Sequence, residues 1–322
     1  MSASWLADAD RHAHWPAATV VVAGLGVSGF AAADGLMSVG ARTIVLDESP
    51  APAAQAALLE QLDVTVRLGP GVADELPAEA DLLIASPGWS PSAPLLRQAL
   101  DRGIPVWGEP ELAWRLMQPD REVPWLGIAG DGARGATLAL GAILQAAGLK
   151  STLVGATGRP VMEAVLDEDS YDAVVVELSD RQLRWLPTVA FHSAAVLAAG
   201  TTAESRVRRA RSYAGVRHSA IYNVEDSVTE DMVVAAEVTD GARAIGITTG
   251  IPGMSMVGIV DDLIVDRAFI EQRRHSAMEL LPVRDVAGHE VPQALLAAAL
   301  ARSFGVPARA VAAGLRAVEP NA

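Results

Sequence analysis

Short β-branched apolar runs alternate with alanine-rich stretches of helical length from residue 19 onward, and this alternation predicts parallel strands with helices on the sheet faces. Strands are expected at Thr19–Ala23, Thr43–Leu46, Val64–Leu68, Leu82–Ala85 and Val106–Trp107. A second series opens with a strand at Trp125–Ala129 and a helix to Ala147, then strands at Ser151–Val154, Ala173–Glu177, Ala194–Leu197 and Ala220–Asn223. It closes on two stretches that read as amphipathic helices, Gln293–Phe304 and Ala308–Ala317. Residues 117–124 carry two prolines and three charges, the composition of a linker. The expected organisation is an N-terminal extension at 1–18, a first α/β domain at 19–117, a linker at 118–124 and a second α/β domain at 125–322.

Each domain opens with a glycine-rich strand-to-helix turn. In the first, Gly24-x-Gly26-x-x-Gly29 is followed by Asp47 at the end of the second strand, which fits a Rossmann-like dinucleotide fingerprint. That turn equally seats the diphosphate of other nucleotides on a helix N-terminus. An NAD(P)-dependent oxidoreductase is therefore one alternative; it would require a catalytic pair, such as histidine with a carboxylate, in the second domain. The second domain begins instead with Gly130-Asp131-Gly132-Ala133-Arg134-Gly135-Ala136, laid out like a phosphate-binding P-loop. A working loop needs backbone N–H groups around the phosphates, a lysine on the terminal ones and a Ser/Thr hydroxyl on Mg²⁺. Arg134 stands where the lysine belongs, Gly135 and Ala136 replace the hydroxyl residues, and the chain's one lysine is Lys150. Arginine is larger and fork-shaped and does not replace a compact ammonium at a packed phosphate site.

Composition narrows the classes further. A net charge of −14 argues against nucleic-acid binding, which needs clustered positive charge. The basic run Arg206–Arg211 reads as a solvated helix face. With no cysteine, disulfides and thiolate chemistry are excluded. The N-terminal residues lack the basic start and apolar core of a signal peptide, and no apolar run reaches the ~18 residues of a membrane span. A cytoplasmic protein is expected. His192 and His218 have no partner at metal-ligand spacing, and Trp89, Trp107, Trp114, Trp125 and Trp185 read as packing residues rather than a stacking platform.

The two turns in this order, together with Ala85-Ser-Pro-Gly-Trp-Ser-Pro91, Gly103-Ile-Pro-Val-Trp-Gly108, Glu111-Leu-Ala-Trp114 and Val176-Glu-Leu-Ser179, resemble the Mur ligases, and within them the D-glutamate-adding branch of actinobacterial type. The resemblance runs from about Val20 to Leu315. It implies a Rossmann-like UDP-sugar-binding domain followed by a central Mur-ligase P-loop-type α/β domain, with the family's third, C-terminal ligase domain absent. Carried over by position, Gly26, Val27, Ser28 and Gly29 hold the diphosphate, Asp47 is the acidic residue on the uracil side, and Gly88 lies near the substrate.

The central domain departs from the family pattern. Gly130, Asp131, Gly132, Arg134, Gly135 and Ala136 form a degenerate nucleotide loop. Gly155-Ala156-Thr157-Gly158 has lost an amide that reaches substrate, and Ala198–Ala203 has lost every polar ligand of its family counterpart. The family's carbamoylated lysine falls near Arg209-Ala210. Glu177 alone remains of the metal ligands, as a vestige. The resemblance thus implies a non-catalytic family member with a regulatory, scaffolding or precursor-binding role in peptidoglycan synthesis. Its partner would be a UDP-MurNAc-type nucleotide sugar or a cell-wall synthesis protein, and no cofactor is expected. The alternative is a divergent ATP-dependent ligase, using ATP and Mg²⁺, whose third domain comes from another chain.

Overall fold

In a computed structural model of the chain, residues 4–118, 122–156 and 158–317 are described. Residues 119–121 of the expected linker and Thr157 lie outside them, as do the first three residues and the last five. Two compact units emerge. The first takes residues 1–122, 160–168 and 184–187, and the second takes 123–159, 169–183 and 188–322.

The chain begins its regular structure with β1 (Thr19–Ala23), α1 (Val27–Ser38), β2 (Arg42–Asp47), α2 (Ala53–Glu60), β3 (Thr65–Leu68), β4 (Leu82–Ala85), α3 (Pro94–Asp101), β5 (Val106–Trp107) and α4 (Glu109–Leu116). It continues with β6 (Trp125–Ala129), α5 (Ala133–Ala146), β7 (Ser151–Gly155), α6 (Val161–Leu166), β8 (Ala173–Leu178), α7 (Asp180–Leu183), β9 (Ser193–Val196), α8 (Ala203–Ala210), β10 (Ser219–Asn223) and α9 (Ser227–Val234). The last elements are β11 (Arg243–Ile247), β12 (Met256–Val260), β13 (Leu263–Asp266), β14 (Met278–Pro282), α10 (Val291–Ser303) and α11 (Ala308–Ala317).

In the first unit, five parallel strands run in the order β3-β2-β1-β4-β5. β1 and β4 are buried along their whole length, which is why they read as unbroken apolar runs rather than alternating ones. Residues 4–18 prove to be part of this unit rather than an appendage. Trp15 is fully buried, and Arg115 of α4 donates to the carbonyls of Leu6, Ala7 and Ala9. The same guanidinium pairs with Glu111 at 2.7 Å and lies 4.2 Å over the Trp107 ring.

The segment 160–168 joins the first unit through α6, although the sequence pattern assigns it to the second domain. Met162 lies where a side chain at Gly35 of α1 would be, and its N–H donates to Glu109 Oε1 at 2.6 Å. Burial pushes the Glu109 carboxyl up to about 7, against the opposing pull of the Met162 amide, and the nearby Glu163 adds to the rise. The raised value fixes a sign. The folded chain holds this proton more tightly than the unfolded one, so Glu109's contribution is complete below its ordinary value of 4.5 and is lost as pH rises to about 7. Glu109→Gln, which keeps the acceptor and removes the charge, is expected to raise stability at pH 8 by about 3 kcal/mol. Urea melts at pH 5 and pH 8 check this; an equal effect at both would show that the charge is not responsible.

The second unit carries nine strands in the order β14-β13-β12-β11-β10-β9-β6-β8-β7, parallel from β7 to β12 and antiparallel at the β12-β13-β14 edge. Its core gathers α5, α10 and α11 on the sheet. Residues 294–301 of α10 are all fully buried, so this helix is apolar around its circumference rather than amphipathic. A side chain at Gly314 of α11 would collide with the α5 backbone at Ile143, which explains glycine at that crossing.

Candidate functional site

The carboxyl ends of β2, β1 and β4 border a cleft of about 740 Å³ in the first unit. It is lined by Gly26, Val27, Ser28, Asp47 and Gly88, residues singled out from the sequence, and by Ser86 and Trp89. Gly24 turns the chain out of β1 with φ +95°, a region that favours glycine. Gly26 then caps α1, whose first-turn amides have no intrahelical acceptor and face the helix mouth. Gly29 is required for space: a Cβ there would fall on the Gly24 carbonyl oxygen. Asp47 braces this turn. Its Oδ2 accepts from the Leu25 N–H at 2.6 Å and its Oδ1 from the Ser49 N–H at 2.8 Å. Each carboxylate oxygen retains acceptor capacity for a ligand hydroxyl. An adjoining cavity shares Gly26, Val27, Asp47 and Ser49 and extends the site to Phe30 and Glu163. Asp47, Glu48 and Glu163 are the only charged residues among those lining the two cavities. A diphosphate here would be held by backbone N–H groups and serine hydroxyls.

At the start of α5, in the second unit, the loop expected to resemble a P-loop has Gly130 and Gly132 at φ +99° and +83°, the region that favours glycine. Its surroundings differ. The cation that reaches the loop is Arg209 of α8, while Arg134 is exposed on the first turn of α5. Arg209 is only 7% exposed. Its Nε donates to Asp180 Oδ1 at 2.7 Å, its Nη2 to Asp131 Oδ1 at 3.2 Å, and its Nη1 to the Ala198 carbonyl at 2.8 Å. Burial alone would lower its pKa; the two carboxylates outweigh that and raise it. The basic run at 206–211 is therefore not a uniformly solvated face. Gln293 of α10 lies over the same loop, where side chains at Gly132 or Gly135 would meet it.

Around this loop, Ala136 is fully buried and Glu177 nearly so, at the end of β8. Gln182 and Ser179 satisfy one another, with Ser179 Oγ 2.8 Å from Gln182 Oε1. Ala199 N–H donates to Asp226 Oδ2 at 2.7 Å, so the Ala198–Ala203 stretch is anchored by a carboxylate from outside it. His192 and His218 stack with ring centroids 5.0 Å apart, each with Nδ1 on the following serine hydroxyl. Burial holds His192 down at about 4, helped by the neighbouring His218 and Arg217.

Arg209, Gln293 and the cleft-facing position of Trp89 were not legible in the sequence. The first two reach the loop from elements far along the chain. Trp89 follows a Ser-Pro-Gly turn next to the predicted substrate-side glycine, a signal that could have placed it.

The Mur ligase MurD-like N-terminal domain matches residues 18–108. Across 96% of this chain, the UDP-N-acetylmuramoylalanine–D-glutamate ligase of Streptomyces avermitilis is 46% identical, and the chain covers 68% of that protein. The enzyme of the same name from Streptomyces coelicolor is 46% identical over 94% of the chain, which covers 67% of it. Among solved structures, the UDP-N-acetylmuramate:L-alanyl-gamma-D-glutamyl-meso-diaminopimelate ligase from Neisseria meningitides superposes with a TM-score of 0.55 at 15% identity, over 95% of this chain and 99% of that one. At that identity the likeness speaks for the fold.

Proposed function

The chain belongs to the Mur ligase family, in its MurD-like branch, and on that premise we propose that it binds a UDP-muramoyl nucleotide in the first-unit cleft and serves peptidoglycan synthesis as a non-ligating member. The observation that carries the non-ligating part is the Arg209 bridge to Asp131 and Asp180. A triphosphate entering the Gly130–Gly135 loop would have to separate a largely buried guanidinium from its carboxylates and then face Asp131. The loop offers no lysine for the terminal phosphates and no hydroxyl for Mg²⁺ in return. Catalysis of phosphoryl transfer is almost entirely charge stabilisation and positioning, so a loop already neutralised by its own arginine is poorly suited to it.

In this reading the first unit does the work. The α1 amides receive the diphosphate, Asp47 holds the turn and offers acceptors to ribose, and the serine hydroxyls of the cleft orient the rest. The protein would act in the cytoplasm, as a precursor sensor or a scaffold for another wall-synthesis protein. No helix among the described residues is long and apolar enough to cross a membrane.

The names of the relatives favour a second reading. At 46% identity they are D-glutamate ligases, and this chain would then be a divergent ligase using ATP and Mg²⁺. Glu177, at the carboxyl end of β8, is the residue present here that fits a metal ligand, and Gly130 and Gly132 supply a phosphate-compatible turn. When bound, ATP would supply the phosphoryl group that activates a carboxylate.

Calorimetric titrations with UDP-MurNAc-L-Ala and with ATP–Mg²⁺, each alone, separate the two. The expected result is binding of the nucleotide sugar, with a matching rise in melting temperature, and none of ATP–Mg²⁺. Tight ATP–Mg²⁺ binding, or phosphate release with D-glutamate and candidate partner chains added, would reverse the order of the readings. The same titration with NAD(P) tests the oxidoreductase alternative, which the names of these relatives do not support.

A further inference from the structure

The cleft crosses the sheet at its topological switch point. β1 is flanked by β2 on one side and β4 on the other, with the phosphate-type turn between them. Asp47 ends β2 and Glu48 follows it; Trp89 lies beyond the end of β4. With about 4.8 Å between neighbouring strands, these ends are separated by about 10 Å. A ligand whose phosphates rest on the α1 amides therefore meets the acids with one end and the indole with the other. Ribose hydroxyls suit the carboxylate end. What lies beyond the distal phosphate faces Trp89.

Trp89 is half-buried and borders the cleft with its indole. Its backbone N–H donates to the Ser86 carbonyl at 3.1 Å, closing the Ser86-Pro87-Gly88-Trp89 turn. One part of the ring packs on the first unit's core beside β4. The rest lines the cleft, with Nε1 3.0 Å from where a Cβ on Gly24 would sit, so the missing side chain at Gly24 lets the indole approach the turn. Ser86 and Ser90 flank it with hydroxyls. An aromatic face bordered by hydroxyl groups suits a pyranose ring, whose C–H face meets the negative face of the π-system while its hydroxyls find polar partners.

The geometry points to Trp89 as the specificity-determining residue for the sugar of a nucleoside-diphosphate sugar: a platform on which the hexopyranose stacks, distinguishing the sugar nucleotide from the bare nucleoside diphosphate. The assignment rests on the first-unit cleft being the nucleotide site proposed above. It replaces the sequence expectation that Trp89 only packs.

The test compares UDP with UDP-MurNAc-L-Ala on the wild-type chain, Trp89→Ala and Trp89→Phe, by calorimetry. Wild type is expected to bind the sugar nucleotide about fivefold or more tightly than UDP. Trp89→Ala is expected to lose that margin while its UDP affinity stays within about twofold, and Trp89→Phe to keep most of it. Retained UDP binding also shows that the alanine variant is folded. An equal loss for both ligands, or an undiminished margin in Trp89→Ala, would overturn the assignment. Failure of the wild type to bind either ligand would sink the nucleotide-site reading beneath it and this assignment together, a different result from a uniform effect of the mutation.

Discussion

Gly29→Ala is expected to abolish detectable binding of a UDP-muramoyl nucleotide, weakening it by about 100-fold or more, and to lower the melting temperature of the chain. The added methyl would fall on the carbonyl oxygen of Gly24 and also press on Ser86 Oγ at 3.1 Å. Backbone cannot swing aside as a flexible side chain does, so the turn must open and the α1 amides must tilt from their aim. A cost of about 2–3 kcal/mol to restore the binding geometry corresponds to that loss of affinity. Gly26→Ala is the control. Nothing lies within 4 Å of its Cβ position, and its φ of −76° is open to any residue. Titration and thermal melts of both variants check the pair; nucleotide binding by Gly29→Ala at wild-type strength would show that this turn does not hold the phosphates.

A comparable effect on stability is expected from Arg302→Ala in the second unit. Asp266 is fully buried and its Oδ2 receives the Arg302 Nε at 2.8 Å, while its Oδ1 accepts the amides of Ala268 and Phe269. Arg302 also caps the carbonyls of Val306 and Phe269. Removing the guanidinium strands a carboxylate in the interior and should cost about 3–5 kcal/mol, whereas replacing both partners by apolar residues of similar volume should cost much less. Urea denaturation of Arg302→Ala and of the double variant Asp266→Leu/Arg302→Met measures the difference. Equal losses would mean that the pair is held by packing rather than by charge.

Most strands from β1 to β10 were legible because they are short buried apolar runs, and β3 and β7, less buried, were legible from β-branched residues between helical stretches; local pattern is enough for such elements. The edge from β11 to β14 was not. β12 and β13 are joined by Asp261-Asp262, both in the left-handed region at φ +47° and +63°, where glycine or asparagine is the usual hairpin signal. Two aspartates there read as a charged loop. The candidate site divides in the same way. The glycine spacing and Asp47 report one continuous strand-turn-helix and could be read directly. The Arg209 bridge joins residues 131, 180 and 209, and no local pattern distinguishes Arg209 from the exposed Arg206 three residues earlier in the same basic run. Burial of α10 on every side depends likewise on what the fold lays over it.

The assignment of residues 160–168 and 184–187 to the first unit bears on how the molecule can be taken apart. The polypeptide leaves that unit at residue 122, returns twice to complete it, and departs each time to resume the other. A gene fragment ending at 122 would retain the glycine turn and the cleft-lining residues of the first 94 positions but lack Met162 against Gly35 and the amide that meets Glu109. Its α1 would expose at Gly35 the surface that Met162 otherwise covers. Ribosomal synthesis faces the same constraint: the first unit cannot be finished until more than sixty residues beyond its apparent end have emerged, so its maturation is tied to translation of its neighbour.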